Sequence, residues 1–453
     1  MMPNKRKLRV AFVGGGSLAW GPQLIRDIVF KRGMEQVELE FSLCDLNLAR
    51  ARAIKRLFDI HLEAWGLSRV RLRATNDQQK AIRGADFVLI AISTGGLAAM
   101  RHDLAIPERY GIYHTVGDTA GPGGWSRALR NIPVFASYAE QIKELAPNAV
   151  VLNYTNPLAA LTKVLSDKLG AGRVVGLCHG LFECYRVLQE LFGLKGEREI
   201  KLHFGGLNHF FWILDFTVRG EDGYALLRRK MRGRPLYEVL EAIRPEAGKW
   251  ARGNRVATEL FENYGYLPYT ADRHICEFFS CYMANPEVIE RFKVERTSVD
   301  QRASWYAKLE QQLKKQIRER KGLSKNPSRE TAADIIAAVV FDRGFTDVVN
   351  TVNVGQIANL PQGATVETMG YVDAAGVKSF TLGPLPEPLR ALCAPHAEAQ
   401  VKTVEAGLSG DVDLALMALV ADPACSHMTV ADIKKMGMEL LRANKHHLPQ
   451  FFG

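Results

Sequence analysis

Apolar and polar positions in the first two hundred residues follow two alternating periods. The run "LRVAFVGGGS" from Leu8 reads as a buried strand ending in a glycine turn, and "PQLIRDIVFKR" behind it has helical spacing. "VELEFSLCD" predicts a second strand and "ADFVLIAIS" a long buried one. "SRALRNIPVFASYAEQIKEL" carries helical periodicity with one proline. "NAVVLNYTNP" and "RVVGLCHG" predict two further strands, separated by the helix-like "LAALTKVLSDKLG". Strands alternating with helices predict a doubly wound parallel sheet. Near residue 200 the pattern changes. "IKLHFGGLNHFFWILDFTVRG" alternates as antiparallel strands do, and long helical stretches are expected from there to the C-terminus. The expected organisation is an α/β chain with one domain over residues 1–200 and a mixed α+β domain over 201–453.

A length of 453 residues exceeds one small core and accommodates two domains. Hydrophobic residues make up 47% and charged residues 24%, a soluble globular balance with no apolar run near the roughly 20 residues of a membrane span. The N-terminus is basic but runs directly into a strand without a small-residue cleavage site, so no signal peptide is expected. Seven cysteines without a close-set framework favour free thiols in a reducing compartment, and the cytoplasm is the expected location. The formal net charge is +10, but its densest run, "KLEQQLKKQIRERKGLSK", interleaves acidic residues at helical spacing. That run reads as a solvated helix face, so neither nucleic acid nor membrane is an expected partner; a positive field would instead draw in a small anionic substrate.

"VAFVGGGSLAWGP" places Gly14, Gly16 and Ala19 in a G-x-G-x-x-A pattern directly after a strand. Such glycines allow a tight turn and close approach of a pyrophosphate to a helix N-terminus, with Ser17 in the same turn. The second strand ends at Asp45, where a carboxylate can accept ribose hydroxyls, though it lies about 30 residues on rather than about 20. No arginine directly follows Asp45, which favours NAD; Arg50 and Arg52 leave the phosphorylated form open. The N-terminal domain is therefore expected to be a Rossmann-type NAD-binding unit. A glycine-rich connection without a ligand is the plain alternative.

Chemistry-bearing residues cluster at the expected C-terminal ends of strands, where open α/β sheets bind their ligands. They are Asp118 in "TVGDTAGPGGWSR", Asn153 and Asn156 in "NYTNP", and Cys178 with His179 in "LCHG". Asn208 and His209 follow in "GGLNHFFW". A thiol beside an imidazole suits a redox pair, a nucleophile with its base, a metal site, or a cysteine that packs. Cys178 with His209 would give a divalent metal two ligands and leave the remaining positions to substrate oxygens.

The ordered set "VGGGS", "RHDLAIPERYGIYHTVGDTAGPGG", "NYTNPLA", "GLCHG", "GLNHF", "GYLPYTADRHICEFF", "VVNTVNVGQIANLPQGATVE" and "AEAQVKTVEAGLSGDVDLALMALVADP" runs almost end to end. In it the chain resembles glycoside hydrolase family 4, whose members depend on NAD and manganese and have a lactate/malate dehydrogenase-like fold. The resemblance implies that Cys178 and His209 hold Mn²⁺ or another divalent transition metal, and that the C-terminal domain binds substrate and mediates oligomerisation, as a homodimer or homotetramer. The "CHGL" form resembles α-glucuronidases and α-galacturonidases, which implies an α-linked uronide as substrate.

The family chemistry implied is oxidation at C3, deprotonation at C2, elimination of the aglycone, water addition and re-reduction, an exception to the two-carboxylate rule. Asp118 matches the family's acidic residue, a candidate proton donor to the leaving oxygen; helix capping is its plain alternative. Asn153 would contact cofactor and Asn156 substrate, or both form a turn. Where some members carry a tyrosine base, this chain offers His274, Asp272 and Tyr269, in that order. His274 could also be a third metal ligand or a core histidine. Arg101, Arg255 and Arg273 are candidates to pair with the uronate carboxylate. A neutral-glycoside enzyme, a hydroxy-acid dehydrogenase with net NAD turnover and a non-catalytic NAD sensor are the alternatives.

Overall fold

The computed structural model describes residues 6–243 and 253–453. Six parallel strands open the chain: β1 (Lys7–Val13), β2 (Glu38–Cys44), β3 (Val70–Thr75), β4 (Phe87–Ile90), β5 (Val150–Asn153) and β6 (Val174–Gly176). They lie in the order 3-2-1-4-5-6, that of a doubly wound dinucleotide-binding sheet. β4 and β5 are buried at every position, as expected of parallel strands covered by helices on both faces. The α/β fold with a Rossmann-type N-terminal sheet agrees with the sequence reading.

The alternation after residue 200 forms an antiparallel hairpin of β7 (Ile200–Leu207) and β8 (Phe210–Val218), edged by β9 (Glu221–Asp222) and β10 (Leu267–Pro268). The expectation of helices from there onward is corrected by three more strands, β11 (Phe345–Val352), β12 (Thr365–Asp373) and β13 (Gly376–Ser379). "FTDVVNTV" is rich in β-branched residues and takes the extended state those side chains favour.

Among the described residues these strands join the two halves into one sheet of 13 strands. β11 pairs with β6 through Asn350 and Gly176, β12 pairs with β11, and β7 pairs with β12 through Gly206 and Glu367. One row therefore crosses the sheet from Asn153 through Gly176, Asn350 and Glu367 to Gly206. That row carries the β7–β8 hairpin to the carboxyl ends of β5 and β6. All seven cysteines are free thiols. Among the described residues no helix is long and apolar enough to cross a membrane.

Candidate active site

The glycine turn after β1 is built around two close approaches. Gly14 has φ +85°, and a Cβ there would lie 2.1 Å from the Ala91 carbonyl oxygen. A Cβ on Gly16 would lie 2.7 Å from Asp45 Oδ2, which accepts the Gly16 N–H at 2.9 Å. Asp45 Oδ1 accepts the Asn47 N–H at 2.8 Å, so the carboxylate ties the turn to the end of β2 and retains lone pairs for further donors. Ser17 Oγ accepts the Trp20 N–H at 3.2 Å, and helix Gly21–Phe30 begins just after Ala19 and Trp20. A turn that excludes side chains, next to a helix N-terminus, fits a dinucleotide pyrophosphate.

At the end of β5, Asn153 is fully buried, and its side chain shapes the turn. Its Oδ1 accepts from Thr155 N–H at 2.8 Å and its Nδ2 donates to Thr162 Oγ1 at 3.1 Å. Asn156 instead reaches the cluster, its Nδ2 donating to Asp118 Oδ1 at 3.4 Å.

Cys178 lies between β6 and helix Gly180–Phe192, and His209 is the second residue of the two-residue β7–β8 turn. His209 has φ +62°, a conformation uncommon outside glycine, which costs of the order of 1 kcal/mol and recurs where a functional side chain must be aimed. The turn is anchored from below, because Asn208 Nδ2 donates to the buried Glu367 Oε2 at 2.8 Å. Burial raises the Glu367 carboxyl to about 7. The outcome is that Cys178 Sγ and His209 Nε2 stand 3.1 Å apart.

Burial, then the charge of Glu367, pushes the Cys178 thiol up, and burial pushes His209 down to about 4. Both groups are thus neutral by themselves. A divalent cation reverses this for the thiol, because a coordinating thiol deprotonates. A sulfur and an imidazole nitrogen this close could both face one divalent transition metal. The pair therefore fits a metal as a soft-and-borderline donor set. Among the described residues no three His, Cys, Asp or Glu side chains gather as a metal cluster.

Asp118 belongs to the same cluster. Its Oδ1 accepts from Thr119 Oγ1 at 2.9 Å, and Thr119 Oγ1 lies 3.0 Å from His209 Nδ1. Burial opposes its charge, but the Arg127 guanidinium first, with Arg302, holds the carboxyl well below the usual range. Asp118 is accordingly an ionised acceptor in this arrangement.

The three base candidates occupy different surroundings. The His274 ring lies 4.3 Å from that of His209, its Nδ1 is buried without a partner, and burial keeps it neutral. Tyr269 stacks on His209 at 5.5 Å, and burial drives its phenol well above the ordinary value. Asp272 is turned away to another task, its two oxygens accepting Val256 and Ala257 N–H at 3.0 Å each in the first turn of helix Arg255–Tyr264.

The candidate arginines separate likewise. Arg273 feels the charges of Asp118 and Glu277, and its guanidinium bonds Thr297. Arg101 is exposed, 3.8 Å from Asp300. Arg255 donates to Glu241 at 2.9 Å and lies 4.0 Å above the Tyr237 ring. The structure thus brings together Asp118, Asn156, Cys178, His209, Tyr269, Arg273 and His274, but not Arg101 or Arg255.

Residues that sequence reading missed complete the cluster. Glu277 Oε1 accepts Thr115, Val116 and Gly117 N–H at 2.8, 2.7 and 2.8 Å, clamping the loop that presents Asp118. Thr297 N–H bonds Thr115 O at 2.7 Å, drawing the start of helix Val299–Glu319, and with it Arg302, toward that loop. Only the motif "HICEFF" pointed to Glu277, and nothing local marked Thr119 or Arg302.

The family model "Family 4 glycosyl hydrolase" matches residues 9–194, and "Family 4 glycosyl hydrolase C-terminal domain" matches residues 204–425. This chain belongs to glycosyl hydrolase family 4. An alpha-galacturonidase of Bacillus subtilis is 34% identical over 92% of this chain and 93% of its own length. An alpha-galactosidase of the same organism is 28% identical over 98% and 99%. A Bacillus subtilis crystal structure, 31% identical, superposes with a TM-score of 0.86 over 96% of this chain and 100% of its own. A 6-phospho-alpha-glucosidase from gut microorganisms, solved with NAD and Mn²⁺, shares the fold with a TM-score of 0.81 at 21% identity, over 98% and 99% of the two chains.

Proposed function

We propose that this family 4 glycosidase hydrolyses α-linked uronides, galacturonides or glucuronides, by redox-assisted elimination. Bound NAD⁺ supplies reversible hydride exchange at C3 of the sugar, and a divalent ion, Mn²⁺ foremost, supplies Lewis acidity at the neighbouring oxygens. The observation that carries the reading is the Cys178–His209 pair, 3.1 Å apart and joined to Asp118 through Thr119.

The protein's own residues then divide the work. The glycine turn, Asp45 and the N-terminus of helix Gly21–Phe30 hold the cofactor. His274, neutral and unpartnered at Nδ1, removes the C2 proton. Asp118 arrives ionised, so it accepts a proton before it can return one to the leaving oxygen. Arg273 and Arg302, whose charges both bear on Asp118, supply the cationic wall for a uronate. The "CHGL" stretch and the 34%-identical alpha-galacturonidase support the uronide. A neutral α-galactoside is the second reading, supported by the alpha-galactosidase relative.

The test is hydrolysis of aryl α-galacturonide, α-glucuronide, α-galactoside and α-glucoside, each with and without NAD⁺ and Mn²⁺ under reducing conditions. Uronide cleavage that needs both additives, without NADH accumulation, is expected. Cleavage of the neutral substrates alone would keep the mechanism and remove the uronide. Steady NADH production without cleavage would make the protein a dehydrogenase.

A further inference from the structure

The Thr119 hydroxyl is buried and sits between two groups that make different demands on it. It lies 2.9 Å from Asp118 Oδ1 and 3.0 Å from His209 Nδ1. A hydroxyl has one proton to give and two lone pairs to offer, while an ionised carboxylate only accepts. The Thr119 proton therefore goes to Asp118, and the contact with His209 is satisfied only if Nδ1 carries a hydrogen and donates it. A neutral imidazole has one N–H, so Nε2 is left with its lone pair, and Nε2 is the atom 3.1 Å from Cys178 Sγ. The opposite tautomer would set two lone pairs, on Thr119 and on Nδ1, against each other inside the site.

We infer that Thr119 is a positioning residue that selects the Nδ1–H tautomer of His209 and so presents Nε2 to a divalent metal, while linking that ligand to Asp118. Metal-ligating histidines ordinarily donate their other ring N–H directly to a carboxylate, a carbonyl or water. Here a threonine hydroxyl stands between, so the chain runs His209 to Thr119 to Asp118. The neighbouring geometry holds the relay in place. Thr119 lies against Gly124 in helix Gly121–Leu145, where a Cβ would come within 2.5 Å of the Thr119 carbonyl carbon. His209 is fixed by its left-handed turn. The inference rests on the metal reading of Cys178 and His209.

The test titrates Mn²⁺ into the substrate-free protein and reads free Mn²⁺ by electron paramagnetic resonance, for wild type, Thr119→Val, Thr119→Ser and Cys178→Ser. Thr119→Val keeps shape but not the hydroxyl and is expected to weaken Mn²⁺ binding about 10–100-fold, with NAD affinity unchanged; Thr119→Ser keeps wild-type affinity. Wild-type Mn²⁺ affinity in a folded Thr119→Val protein would overturn the inference. Nitrogen chemical shifts of ¹⁵N-histidine-labelled, metal-free wild type decide the tautomer without any substitution. A protonated Nδ1 on His209 is expected, and a protonated Nε2 would overturn the relay. Failure of wild type to bind Mn²⁺, with Cys178→Ser no different, would overturn the metal reading itself and leave the tautomer result standing apart from it.

Discussion

His114 and Glu277 form a fully buried pair, with His114 Nδ1 lying 3.1 Å from Glu277 Oε1. His114 Nε2 accepts the Gly123 N–H at 3.0 Å, so Nδ1 carries the proton and donates it to the carboxylate. Together with the three backbone N–H groups on the same oxygen, this pair fixes the loop from His114 to Asp118 against the start of helix Gly121–Leu145. Replacing Glu277 by Ala leaves several buried donors without an acceptor. A stability loss of about 2 kcal/mol or more is expected from denaturant unfolding, with kcat falling as the loop loosens. Glu277→Gln, which keeps one acceptor oxygen, is expected to lose less of both.

Asp272 should register in stability and its pH dependence rather than in chemistry. Burial raises its carboxyl to about 6 against the N–H bonds of Ala257 and Val256, above the unfolded value of about 3.9. The folded state thus holds this proton more tightly. Its contribution to stability is full below about pH 4 and is lost as pH rises through about 6. Asp272→Asn removes that dependence. Unfolding free energies measured from pH 4 to 7 should show wild type losing up to about 3 kcal/mol relative to the variant across this window. An unchanged difference would contradict the assignment.

The neighbouring aromatic groups separate by kinetics. His274→Gln is expected to lower kcat by about 10²–10⁴-fold, the usual loss for a positioned proton-transfer group. Tyr269→Phe keeps the ring stacked on His209 and is expected to leave kcat within an order of magnitude. The reverse ranking would move the base to Tyr269.

Recognition of the uronate is expected to reside in KM. Arg302→Gln and Arg273→Gln each remove a charged donor, which corresponds to about 10–100-fold weaker binding of an anionic sugar. The same variants should leave KM for a neutral glycoside nearly unchanged. Arg255→Gln, already paired with Glu241 and stacked on Tyr237, should change neither.

Much of this architecture was legible locally. Gly14 and Gly16 announce themselves by spacing after a short apolar run, Asp45 by its place at the end of the second strand, and the β7–β8 hairpin by its period-two alternation. Cys178 and His209, 31 positions apart, were paired from chemistry and family resemblance, and the fold brings them together. What the sequence hid is non-local. β11 and β12 insert between β6 and β7 through pairs far apart in the chain, Asn350 with Gly176 and Glu367 with Gly206, and no local period encodes that pairing. Glu277 shows its part only in the fold, where one of its oxygens accepts the N–H groups of Thr115, Val116 and Gly117. Asp272 looks like a catalytic carboxylate until helix Arg255–Tyr264 is seen to take both its oxygens. Arg302 carries no local signal of its own, and the hydrogen bond from Thr297 N–H to Thr115 O ties the start of its helix to the loop that leads to Asp118.

The most direct test of the account is hydrolysis in D₂O, with NAD⁺ and Mn²⁺ present and the released sugar examined by NMR and mass spectrometry. Deprotonation and reprotonation at C2 require that the product uronic acid carry one carbon-bound deuterium at C2, with no net NADH. Cleavage that leaves C2 fully protonated would contradict redox-assisted elimination.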